Sequence, residues 1–152
     1  ESMVHLKATA SRLGLSEAVI FAGSVDNAET ASYYNASDIF VFPTLTVEGL
    51  PFVLLEAMAC GKPIIASEIG GTVEAIQGGE NGILIKPGDK AAITRQIAAL
   101  IHDRNLAERL GSAAEATVRR DFSIERMIDL TEKEMHRIAD ESAPSSIVRT
   151  GL

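Results

Sequence analysis

Two glutamates, Glu48 and Glu56, are separated by seven residues in the stretch 48–67, EGLPFVLLEAMACGKPIIAS. The mostly apolar residues between them predict a buried helix over 51–60, where an unpaired carboxylate would be strongly unfavourable. The free amides at the start of such a helix favour an anion, phosphate above all. Carboxylates accept hydrogen bonds from vicinal hydroxyls such as those of a ribose or a hexose. Two carboxylates that flank an amide-rich phosphate site would therefore suit a ligand that joins a sugar, a diphosphate and a nucleoside.

A second amide-rich loop, 67–72, contains Gly70 and Gly71 and leads into a short predicted helix. Gly49 in the first loop would let the backbone approach a ligand closely. Residue types alone also allow simpler explanations. A lone glutamate such as Glu56 can pair with a lysine or cap a loop, and glycine turns follow strands in many α/β domains. Residue chemistry by itself leaves both explanations open.

The elements that would position these residues alternate between strand and helix patterns. Short apolar runs predict buried strands at 18–23, 38–43, 62–67 and within 81–89. Helical spacing predicts helices over 4–15, 29–37, 51–60, 72–77, 89–103, 105–122 and 123–141. The predicted helix boundaries are Gly14 as a stop, Asp26 or Asn27 as a cap, Pro51 in a first turn and Gly61 as a closing residue.

Apolar strands separated by helices predict an α/β fold, a Rossmann-like parallel sheet with helices on both faces. Ligands of such sheets bind beyond the carboxyl ends of the strands. The predicted loops there are 23–28, 44–50, 67–72 and 86–89. We expect a domain over 1–139 and a loose tail over 140–152, where the periodicity is lost.

Composition narrows the class of protein. The chain has 152 residues, 46% of them hydrophobic, and a net charge of −7, which argues against nonspecific nucleic-acid binding. The chain has a single cysteine, Cys60, so no disulfide framework is expected and a reducing compartment is indicated. Within its apolar helix, Cys60 is expected to be a small buried hydrophobic residue. Three scattered histidines lack the spacing of metal ligands, and no apolar run is long enough to span a membrane. No G-x-G-x-x-G follows a strand, so a Rossmann oxidoreductase is not expected.

Taken together, the motifs resemble the retaining GT-B glycosyltransferases of the group 1 family, over roughly residues 1–138. Glu48 and Glu56 fit the E-x7-E signature of that family. The matching segments are EGLP at 48–51, LLEAMACG at 54–61, Pro63 and GG at 70–71. The flanking matches are FAGSV at 21–25, YYNASDIFVFPT at 33–44, NGILI at 81–85 and FS at 122–123. The implied fold is the C-terminal GT-B domain without its first strand–helix units.

The resemblance implies a role for each site residue in binding a nucleotide-diphosphate sugar. Glu48 would bind hydroxyls of the transferred hexose and be the catalytic carboxylate, and Glu56 would bind the ribose. The remaining implied donor-binding residues are Gly23 and Val25 near the base, Gly49, Leu50, Phe52 and Val53 through their amides, and Gly70 and Gly71 in the neighbouring loop. No cofactor and no metal are implied.

The sequence also departs from the family pattern. Family members carry an earlier loop with a glycine and an Arg–Lys pair that neutralises the diphosphate, and an N-terminal acceptor domain. Neither has a counterpart before Lys7, so we expect a cytoplasmic fragment of a hexosyltransferase that is inactive alone. The parent would transfer hexose to a glycan, a small molecule or a lipid-linked acceptor, the last with peripheral membrane association.

Two alternatives and one assembly prediction accompany this interpretation. The chain could be a degenerate, non-catalytic GT-B module used for binding or assembly, or, less in keeping with its motifs, a nucleotide-sugar 2-epimerase. An open sheet edge and an unpartnered last helix over 123–139 predict a dimer or domain exchange of the fragment.

Overall fold

The computed structural model describes residues 2–142, with the side chains of residues 2–141. The chain divides into two compact units, the first running from Glu1 to Tyr33 and the second beginning at Tyr34.

The first unit begins with helix α1 (Met3–Arg12). The Ser2 hydroxyl accepts a hydrogen bond from the His5 amide at 3.4 Å, and the helix ends at Leu13. Gly14 follows with a φ of +70°, as the predicted stop signal requires. Helix α2 (Asn27–Ala36) starts in this unit, and the Asp26 carboxylate accepts a hydrogen bond from the Ala28 amide at 3.2 Å. Of the two cap candidates, Asp26 therefore caps α2.

The predicted strand at 18–23 is wrong. These residues form no regular element, and the Ile20 side chain is 90% exposed. The amides of Ala18 and Val19 both donate to the Leu15 carbonyl, which makes a turn. An apolar run becomes a strand only when another strand pairs with it, and within residues 2–142 none pairs with this one.

The second unit contains a parallel sheet whose strands are β1 (Phe40–Phe42), β2 (Ile64–Ser67) and β3 (Ile83–Ile85), in the spatial order β1-β2-β3. Val41 pairs with Ile65, which in turn pairs with Ile83. Three of the four predicted strands are thus confirmed, each shorter than expected. In the described part of the chain, β1 is an edge strand, and the dimer prediction built on an open edge stays a prediction.

Helices cover both faces of this sheet, as predicted. The helices of the second unit are α3 (Phe52–Ala59), α4 (Thr72–Ala75), α5 (Lys90–His102), α6 (Arg104–Asp121) and α7 (Ile124–Ser142). Because successive strand residues point to opposite faces, β2 contributes to two separate cores. Ile64 and Ala66 pack in a cluster with residues of α3, α4 and α6, whereas Ile65 packs in a cluster with residues of α5 and α6.

Helix α3 differs from its prediction at one end and agrees at the other. Pro51 is the N-cap residue, with extended backbone, rather than a residue of the first turn. Gly61 closes the helix with a φ of +64°, and its amide donates to the Met58 carbonyl at 2.9 Å. The Lys62 amide donates to the Ala57 carbonyl at 3.2 Å, which completes a Schellman motif.

Helix α7 runs to Ser142, three residues beyond the domain end expected at 139. The rest of the tail predicted for 140–152 lies outside the described residues. Six large apolar side chains of α7 are exposed: Ile124, Met127, Ile128, Leu130, Met135 and Ile138. None of the helices over residues 2–142 is both long enough and apolar enough to cross a membrane.

Candidate functional site

Two loops leave the carboxyl ends of neighbouring parallel strands and meet. The first connects β1 to α3 and carries Glu48, Gly49 and Leu50; the second connects β2 to α4 and carries Gly70 and Gly71. The Gly71 amide donates a hydrogen bond to the Glu48 carbonyl at 3.0 Å. The structure thus brings together five residues that the sequence assigned to one site.

The contact between these loops is backbone against backbone. A Cβ atom at Gly71 would overlap the Gly49 carbonyl and lie 2.7 Å from the Leu50 nitrogen. A Cβ at Gly70 would lie 3.1 Å from the Glu48 nitrogen, and Gly70 also has a φ of +54°. Only glycine fits at both positions without a shift of the chain. Gly70 and Gly71 therefore fix where the segment that contains Glu48 lies.

A hydroxyl group in the second loop stabilises its turn. The Thr72 hydroxyl donates to the Ser67 carbonyl at 2.5 Å and accepts a hydrogen bond from the Ile69 amide at 3.1 Å. Thr72 is 1% exposed, so this turn is fixed by a buried side chain. The loop that supports Glu48 is thereby attached firmly to the end of β2.

Two backbone amides at the start of α3 have no hydrogen-bond acceptor among the described residues. The Leu54 amide donates to the Pro51 carbonyl at 3.1 Å, but among the described residues the amides of Phe52 and Val53 have no backbone acceptor. Pro51 has no N–H, and α3 has no side-chain cap. The side chain of Phe52 is 79% exposed and that of Val53 40%. Open amides and the positive end of the helix dipole favour an anion at this position.

Glu56 lies on the exposed face of α3, so the expectation of a carboxylate buried inside a hidden helix is wrong. Leu54, Ala57 and Met58 are completely buried, whereas Phe52 and Glu56 are exposed. The helical repeat puts the two sets on opposite faces. The apolar run conceals this because apolar side chains also occupy the exposed face.

The Glu56 carboxylate has a buried partner that the sequence reasoning did not assign to the site. The Tyr34 hydroxyl donates a hydrogen bond to Glu56 Oε2 at 2.9 Å. Tyr34 is 9% exposed and packs edge-on against Phe40, with ring centroids 5.5 Å apart. Burial, followed by the hydrogen bond to Glu56 and its negative charge, raises the pKa of Tyr34 to about 12. Tyr34 is thus a packing residue and also contacts a residue of the candidate site.

A general signal could have identified Tyr34. A buried tyrosine hydroxyl needs a hydrogen-bond partner, and Tyr34 lies in a predicted helix that directly precedes a predicted buried strand. The sequence alone does not say which of two adjacent tyrosines is buried. In the structure Tyr33 is 53% exposed.

The remaining predicted site residues are Gly23 and Val25, which belong to the first unit. Gly23 is exposed and has a φ of +73°, and a Cβ there would meet no atom within 4 Å. Val25 is half-buried. Their place near a nucleotide base stays a prediction.

A cavity of about 390 Å³ opens at the amino ends of β1 and β2, between Lys62 and Arg104, and none of the predicted site residues lines it. Across the described part of the chain, no three His, Cys, Asp or Glu side chains are grouped as metal ligands would be. Cys60 is half-buried against the core.

A family model and similar proteins of known sequence all point to glycosyltransferases. The family model described as "Glycosyl transferases group 1" matches residues 2–117. A D-inositol 3-phosphate glycosyltransferase of Streptomyces bingchenggensis is 38% identical over 110 residues, which cover 72% of this chain and 24% of that protein. A phosphatidyl-myo-inositol mannosyltransferase of Mycobacterium leprae is 37% identical over 112 residues, covering 73% of this chain and 30% of the other.

Solved structures are similar over most of the chain. Sucrose-phosphate synthase from Thermosynechococcus elongatus superposes with a TM-score of 0.80 at 30% identity, over 92% of this chain and 35% of that one. Anabaena Alr3699/HepE, solved in complex with UDP, gives a TM-score of 0.74 at 30% identity, over 86% and 36% of the two chains. The chain spans about a quarter to a third of the length of these relatives.

Proposed function

The chain belongs to the glycosyl transferases group 1 family, and on that premise we propose that it binds the nucleotide-diphosphate sugar donor of a retaining glycosyltransferase. The whole protein would move a hexose from this donor to a glycan, a lipid-linked acceptor or a small molecule. The observation that carries the proposal is the backbone contact between loops 48–50 and 70–71, beside the open amides of α3.

Each part of the donor has a chemical counterpart at this site. The diphosphate would be met by amides of Gly49, Leu50, Phe52 and Val53, since amides at a helix start complement a negative charge. Glu48 is exposed and would accept hydrogen bonds from hydroxyls of the hexose. Because it would lie next to the reacting sugar, Glu48 is the proposed catalytic residue.

Glu56 would bind the ribose hydroxyls from the exposed face of the same helix. Its position one turn beyond the helix start would place it farther along the donor than the amides proposed to bind the diphosphate. The solved HepE structure with UDP shows that a relative of this fold binds a uridine nucleotide. That finding belongs to the relative, and it makes UDP the first nucleotide to test here.

Catalysis would need groups that these loops do not supply. Neither 44–50 nor 67–72 contains a lysine or an arginine, so only amides and a helix dipole would face the diphosphate there. Charge that develops on the leaving diphosphate is normally stabilised by cationic groups. We therefore propose that this chain alone binds donor without efficient transfer, and that an acceptor domain and a basic pair complete the enzyme.

The cellular setting follows from the same proposal. A single half-buried cysteine accords with a reducing, cytoplasmic location, where a nucleotide-sugar donor would be used. Should the acceptor be lipid-linked, the whole protein would associate with the membrane surface.

Calorimetric titration of UDP, GDP and ADP tests the donor site directly. We expect one nucleoside diphosphate to bind preferentially, and Glu56→Ala to weaken its binding by about tenfold, equivalent to one charge-assisted hydrogen bond. Glu80→Ala, which removes another exposed carboxylate, is the matched control and should leave binding unchanged. Absence of nucleotide binding in both this chain and a longer protein containing it would contradict the proposal.

A further inference from the structure

We propose that Tyr34 is a positioning residue for Glu56, whose carboxylate it orients toward the ribose hydroxyls of the donor. This inference rests on the proposed donor site. The Tyr34 hydroxyl donates to Glu56 Oε2, and within the described residues Oε1 accepts no hydrogen bond from the protein. One carboxylate oxygen is therefore held while the other stays available to a ligand.

The tyrosine ring is fixed by packing, so it can fix its partner. Tyr34 belongs to the hydrophobic core that includes Leu54 and Met58 of α3. Its ring meets that of Phe40 at 73°, and Phe40 stacks on Phe42 with centroids 6.5 Å apart. The Tyr34 hydroxyl therefore lies at a defined point at the edge of the core. It contacts a carboxylate that is 22 positions away in sequence.

Glu56 lacks any comparable support from packing. Its side chain is exposed, and a free glutamate on a helix surface samples several rotamers. Binding a pair of hydroxyls requires one of these rotamers, so the freedom of an unsupported side chain would be lost on binding. A hydrogen bond from a fixed hydroxyl removes part of that freedom beforehand, and hydrogen bonds to a charged acceptor are among the stronger ones.

The protonation of Tyr34 agrees with its role as a hydrogen-bond donor. The pKa of Tyr34 is raised to about 12 by burial and by Glu56, so its hydroxyl keeps its proton and stays a donor at neutral pH. A purely structural explanation also exists, because a buried hydroxyl needs an acceptor in any case. The two explanations differ in what happens to ligands with and without ribose hydroxyls.

The test compares a nucleoside diphosphate with its 2′,3′-dideoxy analogue, each titrated into the wild type, Tyr34→Phe, Glu56→Ala and the double variant. Tyr34→Phe retains the ring and removes only the hydroxyl. We expect it to weaken binding of the ribonucleotide by about three- to tenfold, as for one lost hydrogen bond, and to leave the affinity for the dideoxy analogue unchanged. In the Glu56→Ala background, Tyr34→Phe should have no further effect on either ligand.

Tyr33→Phe is the matched control, because Tyr33 is adjacent and 53% exposed. It should leave both affinities unchanged. The dideoxy analogue also reports on folding, since a damaged Tyr34→Phe protein would lose both ligands equally. Equal loss, or no loss of the ribonucleotide, would overturn the positioning role.

The same titrations separate this inference from the function on which it rests. If the wild type and Tyr34→Phe prefer the ribonucleotide to the same extent, the role of Tyr34 is overturned and the donor site is still supported. A wild type that binds neither ligand, in this chain and in the longer protein, overturns both. A ribose preference that depends on Tyr34 only while Glu56 is present supports both.

Discussion

Two apolar runs of similar composition, 18–23 and β2, differ in structure and in burial. Every residue of β2 is completely buried, whereas Ile20 in the first run is 90% exposed. β2 has a parallel partner on each side and helices on both faces, and the run 18–23 lies in a different compact unit with no strand beside it in the described part of the chain. Burial is thus a property of the partners as much as of the residues.

The glycines that follow these runs repeat the contrast. Gly70 and Gly71, after β2, are crowded by the backbone of another loop, whereas Gly23 has nothing within 4 Å of the place where a Cβ would stand. All three were predicted as ligand-loop glycines. Two of them are required by packing, and the third only by its φ of +73°.

The largest expected effect concerns the two apolar runs. Ile65→Ala should destabilise the chain by about 2–5 kcal/mol, because it leaves a cavity between β2 and the helices on one face. Ile20→Ala should change stability by less than about 0.5 kcal/mol. Denaturant unfolding of both variants measures the difference, and similar losses in the two would mean that 18–23 is buried in solution.

Two adjacent tyrosines offer the next test. Tyr33 is the last residue of the first unit, and Tyr34 is the first residue of the second. The pKa of Tyr34 is raised from 10.0 to about 12, so the folded state holds this proton more tightly than the unfolded chain. The associated stability is fully present below pH 10 and is lost as the pH rises toward 12. The loss should reach roughly 2–3 kcal/mol.

Unfolding measured from pH 9 to pH 12 checks this expectation. Tyr34→Phe should flatten the alkaline decline, and Tyr33→Phe should leave it as in the wild type. An unchanged slope in Tyr34→Phe would show that the hydroxyl at position 34 is not the group that titrates with folding.

Substitution of the crowded glycine should have an intermediate effect. Gly71→Ala must displace the Glu48–Leu50 backbone, with an expected loss of roughly 1–3 kcal/mol in stability. Because the displaced segment carries the proposed hexose and diphosphate contacts, nucleotide affinity should fall as well. Calorimetric titration of a folded Gly71→Ala protein measures this, and wild-type affinity there would separate the loop contact from donor binding.

Of the two glycine substitutions, the one at the open glycine should have the smaller effect. Gly23→Ala meets no neighbour and should cost only about 1 kcal/mol, the strain of a side chain at positive φ. The melting temperature of this variant, compared with that of Gly71→Ala, gives the ranking. A larger loss at position 23 would reverse the comparison.

Much of the fold could be predicted because it follows from local patterns. The runs that became β1, β2 and β3 are bounded by turn residues, and α3 ends at Gly61 because glycine adopts the required positive φ. The strand at 18–23 failed because its partner cannot be deduced from the run itself. Strand pairing joins residues far apart in sequence, and local composition carries little information about it.

The geometry of the candidate site was predictable in part. Glu48, Gly49, Gly70 and Gly71 meet because adjacent parallel strands end at one edge of the sheet. The exposure of Glu56 was missed because the apolar stretch around it conceals two distinct faces. Its bond to Tyr34 was missed because nothing local links positions 34 and 56.

The contact between loops 48–50 and 70–71 divides the site into two kinds of position. Where backbone meets backbone, Gly70 and Gly71 leave no room for a side chain, so these positions hold the shape of the candidate site and could not adjust the sugar selectivity of the proposed donor site. Under the proposed function, donor selectivity would instead come from exposed side chains nearby, such as Val47 and Phe52, both more than 70% exposed. To change donor preference, exposed positions such as 47 and 52 should therefore be randomised, and Gly70 and Gly71 should be kept.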